Sequence, residues 1–336
     1  MSGRASAKPL ASSGFPSDTS LAFFERSNHR ARKTKSVTAV SNTIDERCVQ
    51  SFAEVDGHRL AVISPREQRS GIPIIFVHGI SLSVRFWPNA LEELLLDGLN
   101  WYSVSLPGHA PSSAPESFCS ADVTPSLLSG LMTEVIQSHL CADRVVLVGW
   151  STGGFAALCT AAESPELVAG VASISGYARG QWSGSLGLLQ QLASEGVLGR
   201  MLFKRAMYRT GRHRAVFDFA LSNCAADGRS CRRSPGWSRI LAPVHDDYAR
   251  HDPRVMMELF AGLRDIDATP LLSKINAPML VISGSEDPVI PVAEAQHIAA
   301  SCPHAQLELV PGAGHMFFAE YGPRFSELLS DWLMTL

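Results

Sequence analysis

The chain has 336 residues, 46% of them hydrophobic, and carries 32 Asp and Glu against 29 Lys and Arg for a net charge of -3. That is enough chain for one large domain with a sizeable core, and the near balance of charge does not ask for a nucleic-acid partner. No apolar run reaches the roughly eighteen residues of a membrane span, and the start, Met1 to Ser6, lacks the apolar stretch of a secretory signal, so a cytoplasmic location is expected.

The charge is unevenly spread. Residues 1–43 hold seven Lys and Arg against two acids, and residues 178–250 hold twelve against five, so a basic leader and a basic insert accompany an acidic body. Such asymmetry suits docking of an anionic ligand or partner, or simply complements the rest of the protein. The seven cysteines are scattered without a C-x-x-C pair or zinc spacing, and are read as reduced thiols.

In chain order, residues 1–45 are rich in Ser, Arg and Lys and are expected to be a disordered leader, with an organellar transit peptide as the alternative. Two alternating segments around Asp56-Gly57 predict a β-hairpin over residues 49–63. Pro73 to Val77 is a continuous apolar run, as in a strand buried on both faces, and ends in His78-Gly79-Ile80-Ser81. A helix is expected over 85–96, a strand over 101–106 closed by Pro107-Gly108-His109, and a helix over 124–140.

Val145 to Val148 then runs directly into Gly149-Trp150-Ser151-Thr152-Gly153, followed by helix formers: strand, sharp turn, helix, with a serine at the bend. Val168 to Ser175 is another buried strand. Between residues 177 and 250 the alternation lapses into short helical pieces, Leu186 to Leu198 and Arg214 to Ala225, which predict an inserted lid. Alternation resumes with a helix at 253–264, a strand at 279–283, a helix at 293–301, a strand at 306–310 and one last helix over 318–336. The domain reading is therefore a core of 46–176 and 251–336 interrupted by a lid of 177–250.

Parallel strands need long crossovers, and in such sheets reactive loops gather at the carboxyl ends of the strands. His78, Ser151, Asp287 and His315 all fall there. Phe76-Val77-His78-Gly79, Gly149 to Gly153, Gly284-Ser285-Glu286-Asp287 and Gly312-Ala313-Gly314-His315, in that order, resemble the α/β-hydrolase superfamily across residues 50–336.

The resemblance implies an α/β fold: a mostly parallel eight-stranded sheet flanked by helices. It also implies a serine hydrolase with Ser151 as nucleophile, His315 as base and Asp287 as orienting acid, Glu286 being the rival. Oxyanion donors are expected from Thr152 N–H and Ile80 N–H, with Ser81 as fallback. His78, Gly79, Gly149, Trp150 and Gly153 are expected to shape the site rather than react.

A serine hydroxyl needs an adjacent base at neutral pH, and the base needs its tautomer fixed, so these residue types serve one chemistry without a cofactor or metal. A metal at His245 and His251, with Asp246, Asp247 and Asp252 nearby, is the weaker reading of that acidic run. The expected substrate is a small or medium ester, thioester or lactone. The basic residues Arg200, Lys204, Arg205, Arg209, Arg212 and Arg214 allow it to be anionic or borne on a carrier. The same triad also serves C–C bond hydrolases and perhydrolases, and the fold serves ligand-binding proteins whose triad is broken.

Overall fold

The computed structural model describes residues 47–336 apart from 92–95 and 97. The leader of residues 1–45 lies outside the described residues, as does part of the helix expected over 85–96. Eight strands form one sheet in the order β1-β2-β4-β3-β5-β6-β7-β8. The hairpin β1 (Cys48–Val55) and β2 (His58–Pro65) turns at Asp56 and Gly57, both with positive φ, which two-residue hairpin loops require. β2 pairs antiparallel with β4, and β3 (Ile74–Val77), β4 (Trp101–Val104), β5 (Val145–Trp150), β6 (Val168–Ile174), β7 (Met279–Gly284) and β8 (Ala305–Val310) run parallel.

The apolar runs of the central strands follow from burial on both faces. In β5, Val146, Val148 and Trp150 join one core cluster, while Val145 and Leu147 join the other on the opposite face. Each side chain so buried contributes about 1.5–3 kcal/mol before the entropy of ordering it is counted. Helices cover both faces: α1 (Phe86–Ala90), α2 (Pro125–Glu134, capped by Thr124 and extended by a π turn to His139) and α3 (Thr152–Glu163).

Between β6 and β7 stand α4 (Gly184–Ser194), α5 (Gly196–Arg212), α6 (Arg214–Ser222), α7 (Gly228–Cys231), α8 (Pro235–Tyr248), α9 (Pro253–Arg264) and α10 (Thr269–Leu272). This segment is more helical than its sequence suggests. The expected piece Leu186 to Leu198 breaks at Glu195, whose extended backbone ends α4, and the chain restarts as the 17-residue α5. Periodicity hides α5 because Val197, Leu198, Met201 and Leu202 face solvent. Pro243 hides α8, although it lies inside that helix.

The chain ends with α11 (Val292–Ser301), α12 (Phe317–Glu320) and α13 (Gly322–Leu333). Two helices stand where one was expected over 318–336, because Tyr321 leaves the helical region at φ -136°, ψ 46° and Pro323 starts a new first turn. No helix among the described residues is long and apolar enough to cross a membrane.

Candidate active site

Ser151 joins β5 to α3 at φ 54°, ψ -117°, a conformation that costs about 1–3 kcal/mol for a residue with a side chain. The flanking glycines make the turn possible. A Cβ added at Gly149 would stand 2.1 Å from the Gly153 carbonyl oxygen, and one at Gly153 would stand 2.1 Å from that of Val77. Ser151 N–H donates to Ile174 O at 2.9 Å, tying the bend to β6. The serine thus sits at the carboxyl end of the central strand, where helix α3 begins and its dipole is positive.

The loop after β8 brings His315 to the loop after β7. Its Nδ1 lies 2.7 Å from Asp287 Oδ2, with both side chains buried. Asp287 is itself held by Val289 N–H and Ile290 N–H, which donate to Oδ1 at 2.8 and 2.9 Å. Glu286 is exposed to solvent. The other imidazole nitrogen, Nε2, is buried and makes no hydrogen bond among the described residues, Ser151 included.

Trp150 joins the two halves of the site: its indole N–H donates to His315 O at 3.0 Å and its ring lies 5.0 Å from the imidazole. Phe86 stacks on the indole at 5.2 Å and Phe318 meets it edge-on at 5.1 Å. The residue before the serine therefore anchors the histidine loop, a tie the sequence did not disclose because a tryptophan in a strand reads first as packing.

The loop after β3 passes over the serine. A Cβ on Gly79 would meet the Trp150 ring at 2.6 Å and Ser151 Cβ at 3.1 Å. Ser81, at φ 65°, donates its N–H to His109 Nε2 at 3.0 Å, so that donor is occupied. Among the loop and cap bonds of the described residues, neither Ile80 N–H nor Thr152 N–H donates to a backbone carbonyl. The Thr152 hydroxyl accepts from Tyr177 O–H at 3.1 Å.

Three histidines set edge to face brace this loop. His78 donates from Nδ1 to Gly79 O and accepts at Nε2 from Leu106 N–H. His109 donates from Nδ1 to Pro107 O while accepting from Ser81. His251 accepts at Nδ1 from Ala110 N–H and donates from Nε2 to Leu82 O. The rings of His78 and His109, and of His109 and His251, lie 5.0 Å apart.

Every ring gives one proton and accepts one, so all three are neutral. Burial pushes His109 down to about 4. Burial, and then the neighbouring rings, hold His78 and His251 well below the ordinary histidine value. Both nitrogens of His251 are thus committed to backbone groups, and the nearby Asp247 is paired with Arg85 and Arg250. No cluster of metal-binding side chains occurs among the described residues.

Comparison with known proteins gives this arrangement a family. The model of the alpha/beta hydrolase family matches residues 74–328. The chain is similar to a protein of Nitrosomonas europaea named pimeloyl-[acyl-carrier protein] methyl ester esterase, 26% identical over 269 residues that span 76% of this chain and 93% of that one. A protein of the same name from Edwardsiella ictaluri is 24% identical, spanning 77% and 92%.

Among solved structures, the enol-lactonase of Burkholderia xenovorans LB400 superposes with a TM-score of 0.67 at 20% identity, covering 84% of this chain and all of the other. The esterase RhEst1 of Rhodococcus sp. ECU1013 gives 0.65 at 23%, covering 86% and 99%. With more than half of its length matched by that family, and with its strand order and serine turn in place, the chain belongs to the alpha/beta hydrolase family.

Proposed function

We propose that the chain is a serine hydrolase that cleaves carboxylic esters, or the related thioesters and lactones, through an acyl-enzyme. The observation that carries this reading is Ser151 held in a strained turn while its neighbour Trp150 bonds the carbonyl of His315, whose ring bonds the buried Asp287. Ser151 Oγ attacks the acyl carbon as its proton passes to His315 Nε2, the nitrogen left unbonded. Asp287 keeps the proton of the neutral ring on Nδ1 and stabilises the imidazolium. The tetrahedral oxyanion is taken by Ile80 N–H and Thr152 N–H, each worth roughly 2.7–4 kcal/mol of barrier in such sites. Collapse expels the alcohol, protonated by His315, and water repeats the sequence to release the acid. Protein groups supply every step, and no cofactor is called for.

In this reading the helical segment between β6 and β7 is the lid, and it carries the choice of substrate. The relatives named above are esterases of a carrier-bound methyl ester, and the solvent face of α5 supports a carrier-bound or anionic substrate here. Lys204, Arg205, Arg209 and Arg212 are exposed there and make no ion pair among the described residues. Arg200, also in α5, pairs with Glu258 and is set apart from that row.

The central test is labelling with a fluorophosphonate. The native chain is expected to label and Ser151→Ala is not; labelling that survives the substitution would remove Ser151 from the mechanism. For the substrate, joint reversal of Lys204, Arg205, Arg209 and Arg212 to Glu is expected to raise KM for a carrier-borne ester and leave a small free ester unaffected. Equal effects on both substrates would count against the carrier.

A further inference from the structure

The loop that carries His315 is gripped from two sides. On the sheet side, Glu286 N–H donates to Ala313 O at 2.9 Å, and Gly284 lies so close that a Cβ there would meet the Ala313 and Gly314 carbonyl oxygens at 2.2 and 2.5 Å. On the side of the helical segment, His315 N–H donates to Cys224 O at 2.9 Å, just past the end of α6. Between the two stands Glu320, at the end of α12. Its Oε2 accepts from Gly314 N–H and its Oε1 from Ala226 N–H, both at 2.9 Å.

One carboxylate thus spans two chain segments that share no strand or helix. Charge-assisted bonds of this kind are among the stronger hydrogen bonds, and partial burial strengthens them further. The fit leaves no slack, because a Cβ on Gly314 would stand 2.1 Å from Ala226 N. The backbone of His315 and of the residue before it is therefore referenced to Cys224–Ala226 as much as to the sheet.

We propose that Glu320 is a positioning residue: it clips segment 224–226 to the loop of His315, so that the imidazole is correctly aimed only while that end of the helical segment is seated. The proposal rests on the reading of Ser151, His315 and Asp287 given above. It makes this end of the lid part of the catalytic wall and not a free flap. Lifting it would remove one bond from His315 N–H and one acceptor's partner from Glu320, and so disarm the base.

The test compares Glu320→Ala, which loses both acceptors, Glu320→Gln, which keeps one carbonyl oxygen, and Gly314→Ala, which wedges the two segments apart with Glu320 intact. Each is assayed for kcat and KM on a small soluble ester and for the rate of fluorophosphonate labelling, with far-ultraviolet circular dichroism to establish folding. Misplacement of a reacting group by about 1 Å costs about a hundredfold in rate. The expected result is a kcat and labelling rate about a hundredfold lower in Glu320→Ala and about tenfold lower in Glu320→Gln, with KM changed by less than about twofold.

Gly314→Ala is expected to follow Glu320→Ala. Folded Glu320→Ala protein with kcat and labelling within about twofold of the native chain would overturn the proposal, as would a raised KM at unchanged kcat. If the Ala and wedge variants do not fold, Glu320→Gln decides by the same criteria. Ser151→Ala run alongside separates the two levels: labelling that persists there overturns the assignment of the nucleophile and this proposal with it, whereas its loss beside native-like Glu320 variants overturns the clip alone.

Discussion

The buried histidine cluster makes the protein sensitive to acid in a way that can be worked out from one ring. His109 is neutral in the fold, with its value pushed from 6.5 down to about 4 by burial, and it faces His78 on one side and His251 on the other. In the unfolded chain the ring takes up a proton near pH 6.5, while in the folded chain it resists until about pH 4. The unfolded state therefore binds more protons between those values, and stability falls as pH falls through that window; above it, the full stability is present.

The shift corresponds to about 3 kcal/mol in total from this group, of which about 2 kcal/mol is lost by pH 5. His109→Gln removes the titration while leaving a neutral side chain that can still accept from Ser81 N–H. Urea unfolding at intervals from pH 8 to pH 5 should show the native chain losing stability more steeply than the variant, by about 2 kcal/mol across the range. Identical slopes for the two proteins would refute the view that this imidazole is buried neutral.

Three further outcomes are expected. Asp287→Asn keeps the size of the side chain but favours the wrong imidazole tautomer, and should lower kcat by about ten-thousandfold with KM little changed in steady-state assays. Trp150→Phe removes the bond to His315 O while keeping an aromatic ring between Phe86 and Phe318, and should lower kcat about tenfold in steady-state assays and cost about 1–3 kcal/mol in urea unfolding, from the unpaired carbonyl and the space left by the indole. Gly153→Ala drives a Cβ against the Val77 carbonyl, which is backbone and has little room to yield, so thermal or urea unfolding should show a loss of at least about 3 kcal/mol.

The fold was legible wherever local pattern and tertiary context agree. The hairpin at Asp56-Gly57, the double-faced apolar strands and the capped helix Pro253–Arg264 stand within a residue or two of their expected places, because turn chemistry, strand burial and capping act over a few residues. Legibility failed in the helical segment. There α5 shows solvent its apolar residues and α8 carries an internal proline, so neither displays the one-sided pattern of a helix on a core. The final helix was divided by Tyr321-Gly322-Pro323, a break that a count of apolar positions passes over.

In the site, the residue types and their order along the chain were readable, since a serine between glycines after an apolar strand has few other uses. What the sequence could not convey is how groups far apart in the chain meet. That Asp287 and not Glu286 reaches His315 depends on which of two adjacent carboxylates turns inward. That Ser81 N–H is spent on His109 depends on a ring 28 residues away.

The sequence by itself determined the strands, the helices that alternate with them outside the helical segment, and the cast of polar residues at the strand ends, because propensity, periodicity and turn chemistry are local. Tertiary structure alone decided the indole bond from Trp150 to His315, the neutral histidine cluster and the Glu320 bridge to segment 224–226. Each of these is a hydrogen bond or a contact between segments whose spacing along the chain carries no signal, and whose strength comes from the burial that only the folded protein provides.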